Sequence, residues 1–237
     1  SDFGDTWQEM NNGLANERVY CFLKYNNAIY CGDNGPNGIH KSTDNGSTWL
    51  PSGSGLNIPA YSSLLVRSIA ANSDYMFAGT NSERGIFRSS DSGATWQVLH
   101  SIMDSTIVID VSTVDSLLFA GNYAGMIRSA DNCATWTIFP GFQNSLKSII
   151  SFGGYYFGGS FRQGLFKSSD GGMSWSRSDT GMAPLIDITK LIVRGTDLLA
   201  STEDGIYISS DTGNTWNNLN TGLPVSRSAQ SIAAKSD

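Results

Sequence analysis

The feature that most limits what this chain can fold into is an eight-residue box that returns at a nearly constant interval. Ser42-Thr-Asp-Asn-Gly-Ser-Thr-Trp49, Ser89-Ser-Asp-Ser-Gly-Ala-Thr-Trp96, Ser129-Ala-Asp-Asn-Cys-Ala-Thr-Trp136, Ser168-Ser-Asp-Gly-Gly-Met-Ser-Trp175 and Ser209-Ser-Asp-Thr-Gly-Asn-Thr-Trp216 are full copies, and Asp2-Phe-Gly-Asp-Thr-Trp7 is a shortened one. The box aspartates Asp2, Asp44, Asp91, Asp131, Asp170 and Asp211 stand 42, 47, 40, 39 and 41 residues apart, the length of one four-stranded propeller blade. All 6 tryptophans of the chain sit in these boxes. Committing the largest aromatic to one repeated position indicates architecture, because a buried indole supplies a large packing surface and needs one fixed polar partner.

Between boxes each repeat reads as short strands. An apolar first strand (Val19 to Leu23, Val66 to Ala70, Ile107 to Val111, Leu146 to Ile150, Leu191 to Val193) leads into a turn marked by Asn, Asp or Gly. A second strand then ends in small residues, as in Ile29-Tyr-Cys-Gly32, Met76-Phe-Ala-Gly79 and Tyr156-Phe-Gly-Gly159. Small side chains at one column suit strands crowded around an axis. A third strand begins at a glycine and runs into the box, and the box tryptophan opens a fourth. Helical periodicity is absent, so the expected fold is an all-β propeller of four-stranded antiparallel blades, five complete plus a partial sixth. The blades fall at about 18–53, 65–99, 106–139, 146–178 and 187–219 within one domain over 1–237. The partial blade draws on 3–10 and on 228–237, where Ser231-Ile-Ala-Ala-Lys-Ser-Asp237 matches Ser68-Ile-Ala-Ala-Asn-Ser-Asp74. Its incomplete edges are an expected place for self-association.

Charge narrows the partners. With 15 Lys+Arg against 21 Asp+Glu the net charge is −6, which argues against nucleic acid, whose phosphates need basic patches. No apolar run is long enough to span a bilayer, so membrane insertion is not expected, and the chain opens without a charged-then-apolar leader. No cofactor is expected either.

The boxes resemble the Asp-box, or BNR, repeat, whose Ser-x-Asp-x-Gly-x-Thr-Trp pattern is met almost letter for letter. Cys133 stands where the pattern has Gly and Ser174 where it has Thr; if that Gly position takes positive φ, the Cys133 turn should be the least regular. The resemblance implies a fold shared by sialidases, xyloglucan-degrading hydrolases, sorting receptors, photosystem assembly factors and secreted bacterial proteins, and it does not choose among them. It implies a structural box, with the Asp accepting hydrogen bonds from its own turn and the Trp packed into the blade. A photosystem-assembly role is disfavoured by the acidic balance. A sialidase needs an Arg triad for the substrate carboxylate and an Arg-Ile-Pro motif, and no Arg-Ile-Pro occurs.

Function is expected on the loops opposite the boxes, since the strands are committed to packing. Arg18, Glu83, Arg84, Tyr123, Phe161, Arg162, Glu203 and Asp204 are the candidate ligand-binding residues there, a mixture of rings and charges suited to a glycan or a protein. Glycoside hydrolysis would need two carboxylates about 5 to 10 Å apart, for which Glu83, Asp187, Glu203 and Asp204 are the donors within reach; no residue is assigned a catalytic role. His40, in a third strand, and His100, at a loop, form no metal cluster or triad by spacing. Asp33-Asn-Gly-Pro-Asn37 lacks the later Glu of a calcium loop. Cys21 and Cys31 flank the Asn26-Asn27 turn one residue out of mirror register, and with Cys133 they make an odd count. Lys41, Arg88, Arg128 and Lys167 share a column before the box and decorate blade surfaces. The reading that results is a non-catalytic binding or scaffold propeller of a secreted bacterial protein, extracellular or periplasmic, with a sialidase-like or xyloglucanase-like hydrolase as the alternative.

Overall fold

Each box turn places two successive residues in the left-handed region. Asn45 and Gly46 have φ of 58° and 93°, Ser92 and Gly93 55° and 80°, Thr212 and Gly213 58° and 77°. Glycine suits the second position for a further reason: a Cβ on Gly213 would lie 2.4 Å from Phe157 Cε1, and one on Gly172 would lie 2.9 Å from Phe119. Cys133 accepts the same backbone at φ 75°. Its turn is nevertheless as regular as the others, since Cys133 N still donates to Ser129 Oγ at 2.9 Å; the departure from glycine is absorbed as local backbone strain.

The box carboxylate organises the turn. In the second copy Asp91 Oδ1 accepts from Ser89 Oγ and Thr95 N, both at 2.8 Å, while Oδ2 accepts from Thr95 Oγ1 at 2.6 Å. The other full copies repeat this set, with Ser174 Oγ serving Asp170 Oδ2 at 2.6 Å in place of a threonine. Hydrogen bonds from Thr48, Thr135 and Thr215, reinforced by the box serines, hold Asp44, Asp131 and Asp211 down at about 2.

These turns punctuate twenty strands in five four-stranded antiparallel sheets, each in simple sequential order. The computed structural model describes residues 6–14, 18–56, 65–81, 85–99, 107–122, 125–139, 146–223 and 228–233. The chain divides into two compact units, Ser1–Ile107 and Val108–Asp237. The first holds β1(Val19–Tyr25), β2(Ala28–Asp33), β3(Ile39–Ser42) and β4(Leu50–Pro51), followed by β5(Val66–Ala71), β6(Met76–Thr80), β7(Ile86–Ser89) and β8(Gln97–Leu99). The second holds β9(Asp110–Val114), β10(Leu117–Asn122), β11(Gly125–Ser129) and β12(Thr137–Phe139), then β13(Leu146–Phe152), β14(Tyr155–Ser160), β15(Gly164–Ser168) and β16(Ser176–Arg177), then β17(Ile188–Arg194), β18(Asp197–Thr202), β19(Gly205–Ser209) and β20(Asn217–Asn218). These are the blades of an all-β propeller, and among the described residues no helix occurs.

The core of each blade runs along its second strand. Tyr30, Phe77, Phe119 and Phe157 are fully buried there, each stabilising the fold by about 1.5–3 kcal/mol through area removed from water. Small residues end that strand because the next blade presses on it: a Cβ on Gly121 would lie 2.9 Å from Leu146 Cβ, and one on Gly159 would lie 2.4 Å from Ile188 Cγ2. The crowding atoms belong to the first strand of the following blade. Cations of the column before the box lie over aromatic rings of their own blade, Lys41 on Tyr30 at 5.4 Å, Arg88 on Tyr75 at 4.6 Å and Lys167 on Tyr155 at 4.0 Å. None of the three cysteines is in a disulfide: Cys21 pairs with Gly32 and Phe22 with Cys31, so Cys21 and Cys31 point to opposite faces.

A second repeated element, which the box pattern does not announce, ties consecutive blades. Glycine recurs six residues after Trp7, Trp49, Trp175 and Trp216, at Gly13, Gly55, Gly181 and Gly222, whereas Ile102 and Phe142 hold that place after Trp96 and Trp136. Where the glycine is present, its turn receives the next box: Trp96 N donates to Ser54 O and Trp96 Nε1 to Ser52 O at 2.8 Å, and Trp216 N donates to Thr180 O and Trp216 Nε1 to Ser178 O at 2.7 Å. Trp49 does the same to Asn12 O and Met10 O. The tryptophans that follow those two substitutions in sequence differ: Trp175 Nε1 bonds within its own box to Gly172 O, and Trp136 Nε1 is buried with no acceptor among the described residues. Trp49, Trp96 and Trp216 are buried, Trp136 and Trp175 only partly. Trp7, of the shortened copy, is 91% exposed and does not pack as the box pattern implies; Asp2 lies outside the described residues. Of the partial blade, residues 6–10 and 228–233 form no ladder, although Ala229 N donates to Thr202 O and Thr189 Oγ1 to Ala229 O at 2.6 Å.

The tie can be cut at one atom. Gly181 has φ 95°, and a Cβ there would lie 2.2 Å from Trp216 O, so Gly181→Ala is expected to destabilise by about 2 kcal/mol or more, read by urea unfolding with a change in tryptophan fluorescence. The boxes also set an acid limit. Their carboxylates titrate at about 2 in the fold against 3.8 ordinarily, so their stabilisation is present above pH 3.8 and lost as pH falls through 2. Asp44→Asn is expected to flatten the decline of stability in that window, measured by urea unfolding at stepped pH.

Candidate functional site

Strand ends opposite the boxes carry the charged loops, and in the second unit a bulge decides what reaches them. The pairing of β13 with β14 slips between Leu146 and Ser148, leaving Lys147 as an extra residue whose side chain is re-aimed out of the alternating pattern. Its Nζ lies 2.7 Å from Asp187 Oδ2, just before β17, and 4.7 Å from the centre of the Phe161 ring. Phe161 begins the β14–β15 loop, and the Arg162 guanidinium lies 5.1 Å from the same ring. The ring is thus approached by two cations, each attracted by its π-face.

Two backbone constraints hold this loop. Arg162 is left-handed at φ 54°, and Gly164 is required at its end because a Cβ would lie 2.2 Å from Asp179 Oδ2. Gly164 N donates to Ile186 O at 3.0 Å, joining the β14–β15 loop to the segment entering β17. In that segment Leu185 is left-handed at φ 56° and 58% exposed. An apolar side chain displayed on a strained backbone is the kind of feature that clusters at binding sites.

On the other side stands the β18–β19 loop. Glu203 N donates to Asp187 O and Asp187 N to Glu203 Oε1, both at 3.3 Å. Asp187 is buried, and its Oδ1 is enclosed with no donor among the described residues. The Lys147–Asp187 pair is mostly shielded, at 27% and 11% side-chain exposure, so it gains more from its charges than a surface pair while losing more hydration.

Of the sequence candidates, Phe161, Arg162 and Glu203 come together, joined by Lys147 and Asp187. Asp204 turns away: Tyr207 OH donates to its Oδ2 at 3.1 Å, which together with the larger effect of burial raises the Tyr207 pKa. Arg18 belongs to the first unit, where its backbone N–H donates to Asn34 Oδ1 at 2.8 Å. Glu83, Arg84 and Tyr123 lie outside the described residues, as does His100. Lys147 escaped sequence reading because it sits inside an apolar first strand; the bulge recurs in β1, β5 and β17, but only the ladder register reveals it.

Another carboxylate stands on the first strand of its blade. Asp110, partly open by surface area but closely packed by protein, is pushed up to about 6 by burial, against the opposing effects of Ser112, whose Oγ donates at 2.7 Å, and of Lys190. A raised carboxyl is what a general acid requires, but its partners are a hydroxyl and an ammonium rather than a second carboxylate. A groove of about 620 Å³ in the first unit is lined by Lys41, Thr48, Ser52 and Ser92 among others. Two of its hydroxyls are committed to the blade, Thr48 Oγ1 to Asp44 and Ser52 Oγ to Gly93 O.

No protein-family model matches this chain, and no curated protein matches it. Solved structures do. The extracellular domain of a putative one-component system from B. thetaiotaomicron is similar with TM-score 0.69 at 15% identity, over 93% of this chain and 31% of that one. A GH74 enzyme of Niastella koreensis is similar with TM-score 0.66 at 17% identity, over 87% of this chain and 37% of its own length. YCF48 bound to D1 peptide is similar with TM-score 0.64 at 11% identity, over 87% of this chain and 68% of that one. The chain therefore spans about a third of the first two, and the likeness is one of propeller fold. Among the described residues no helix is long and apolar enough to cross a membrane.

Asp110 supplies a test of its surroundings. Because its pKa rises in the fold from 3.8 to about 6, its contribution is most favourable below pH 3.8 and is lost as pH rises through 6. Asp110→Asn is expected to gain stability over the wild type across that interval, by about 1–3 kcal/mol at pH 7, measured by chemical unfolding at pH 4 and pH 7.

Proposed function

We propose that this chain is a non-catalytic binding propeller of the Asp-box type, carried by a secreted bacterial protein and working outside the cytoplasm, and that it recognises a protein or peptide through the loops around Phe161. The observation that carries the reading is the assembly of Phe161, Arg162, Lys147, Asp187 and Glu203, with an exposed, left-handed Leu185 on the adjoining segment. A ring, an apolar side chain and charges of both signs match the mixed surface of a peptide better than the uniformly hydroxylated surface of a sugar. Similarity in fold to YCF48, recorded bound to a peptide, and to an extracellular bacterial domain is in keeping with this.

A glycoside hydrolase reading draws on the similarity to GH74 enzymes and on the raised carboxyl of Asp110. It requires a second carboxylate placed for attack or for activating water, and the partners of Asp110 are Ser112 and Lys190.

The deciding experiment probes arrayed peptides and glycans with the wild type and with Phe161→Ala and Arg162→Ala, alongside an assay for release of reducing sugar from xyloglucan. Peptide binding weakened at least tenfold by either substitution, a loss of about 1.4 kcal/mol, supports the proposal. Glycan binding with the same dependence would move the ligand class. Sugar release abolished by Asp110→Asn would replace the proposal with the hydrolase.

A further inference from the structure

We propose that the first blade holds a buried zinc-class divalent metal ion between Cys31, Asp33 and His40. Cys31 and Asp33 lie on β2 and His40 on β3, with relative exposures of 0%, 0% and 2%. One ligand atom from each lies within 4.8 Å of the other two, and His40 Nδ1 is 2.7 Å from Asp33 Oδ2. Spacing alone gives no hint of this, because His40 reaches Cys31 only through the cross-strand register.

The repeat serves as its own control. The position paired as Cys31 is with His40 holds a small residue opposite a bulky aromatic or aliphatic one in every other blade: Ala78 with Phe87, Ala120 with Ile127, Gly158 with Phe166, Ala200 with Tyr207. The place of Asp33 is taken by Thr80, Asn122, Ser160 and Thr202, neutral residues that bond the turn glycine beyond, as Thr80 Oγ1 does to Gly85 O at 3.1 Å and Thr202 Oγ1 to Gly205 O at 2.9 Å. Asp33 cannot donate in this way when ionised; its Oδ1 instead accepts from Gly35 N at 2.7 Å, and its Oδ2 lies 2.7 Å from His40 Nδ1. In one blade, three neighbouring columns that elsewhere hold a small residue, a neutral polar residue and a bulky aromatic or aliphatic one change together to thiol, carboxylate and imidazole. Turn chemistry accounts for half of Asp33 and for neither Cys31 nor His40.

Charge argues in the same direction. A thiolate, a carboxylate and a neutral imidazole around a dication sum to zero, which is what a buried site demands. Sulfur, nitrogen and oxygen donors together suit zinc, with bonds of about 2.0–2.3 Å in a tetrahedron. Tetrahedral bonds of that length place ligand atoms roughly 3.3–3.8 Å apart, so the His40–Asp33 contact of 2.7 Å opens when the ion enters. Because all three residues are closed from solvent, the ion is captured as the blade forms and clamps β2 to β3, with an enclosed water completing the tetrahedron.

The test is refolding of the whole chain from guanidinium with Co(II), with Zn(II) or with EDTA, for the wild type and for the variant Cys31→Ala/Asp33→Thr/His40→Phe, which gives the blade the residues of its neighbours. Cys21 and Cys133 remain in both as control thiols. The wild type is expected to bind about one cobalt per chain with thiolate-to-cobalt charge transfer and tetrahedral visible bands, to exchange it for zinc, and to melt several degrees lower with EDTA. The variant should show none of these. If the triple variant does not fold, Cys31→Ala alone should fold and lose the charge-transfer band. Wild type that takes up no more cobalt than the variant, or whose melting temperature ignores both zinc and EDTA, overturns the site.

Discussion

Everything in this molecule hangs on one carboxylate per repeat. A box aspartate accepts two hydrogen bonds from the residue four positions on and one from the serine two positions back, for example at Asp44 from Thr48 and Ser42. That set closes a turn with two successive left-handed residues, a conformation that glycine and asparagine adopt readily and that Ser92 and Thr212 adopt at a cost. Because the turn is tight, its glycine presses against the second-strand aromatic of the preceding blade, as Gly213 does against Phe157. A local electrostatic arrangement thereby becomes a packing contact between repeats. Fixing the strand ends at the box also fixes the opposite ends, where Phe161 and Arg162 are displayed.

The blades were legible because period and chemistry agreed: the Asp-to-Asp interval, the two-residue turns such as Asn26-Asn27, and the small residues ending second strands all specify four antiparallel strands. Other features depended on register and were hidden. Whether Cys21 meets Cys31 turns on a one-residue slip at the bulge between Val19 and Cys21, and a slip of one residue exchanges the two faces of a strand. The glycine turn after the fourth strand was present in the sequence but is small and spaced from the conspicuous box, and its purpose appears only when Trp96 and Trp216 are seen donating to it.

The candidate site divides along the same line. Phe161, Arg162 and Glu203 could be picked out because loop residues free of packing duty stand out against a repeat. Asp204, in the same loop, could not be sorted from Glu203 without seeing that Tyr207 bonds it. Lys147 belongs to the site by virtue of a backbone irregularity, and a bulge leaves no mark on a pattern of apolar residues. Charge also misleads in the opposite direction: Lys41, Arg88 and Lys167 form a conspicuous cationic column, yet each is occupied with an aromatic ring.

The bond from an indole to the carbonyl of the blade before it bears on ancestry. A duplication that copied a blade from first strand to fourth would carry a tryptophan without its acceptor. One that ran from tryptophan to tryptophan would carry the glycine turn and the indole that seats in it as a single heritable module. The natural boundary of the genetic repeat therefore falls inside the sheet, not between sheets. Ile102 and Phe142 take the place of that glycine after Trp96 and Trp136, and the two indoles that follow in sequence, Trp136 and Trp175, are only partly buried.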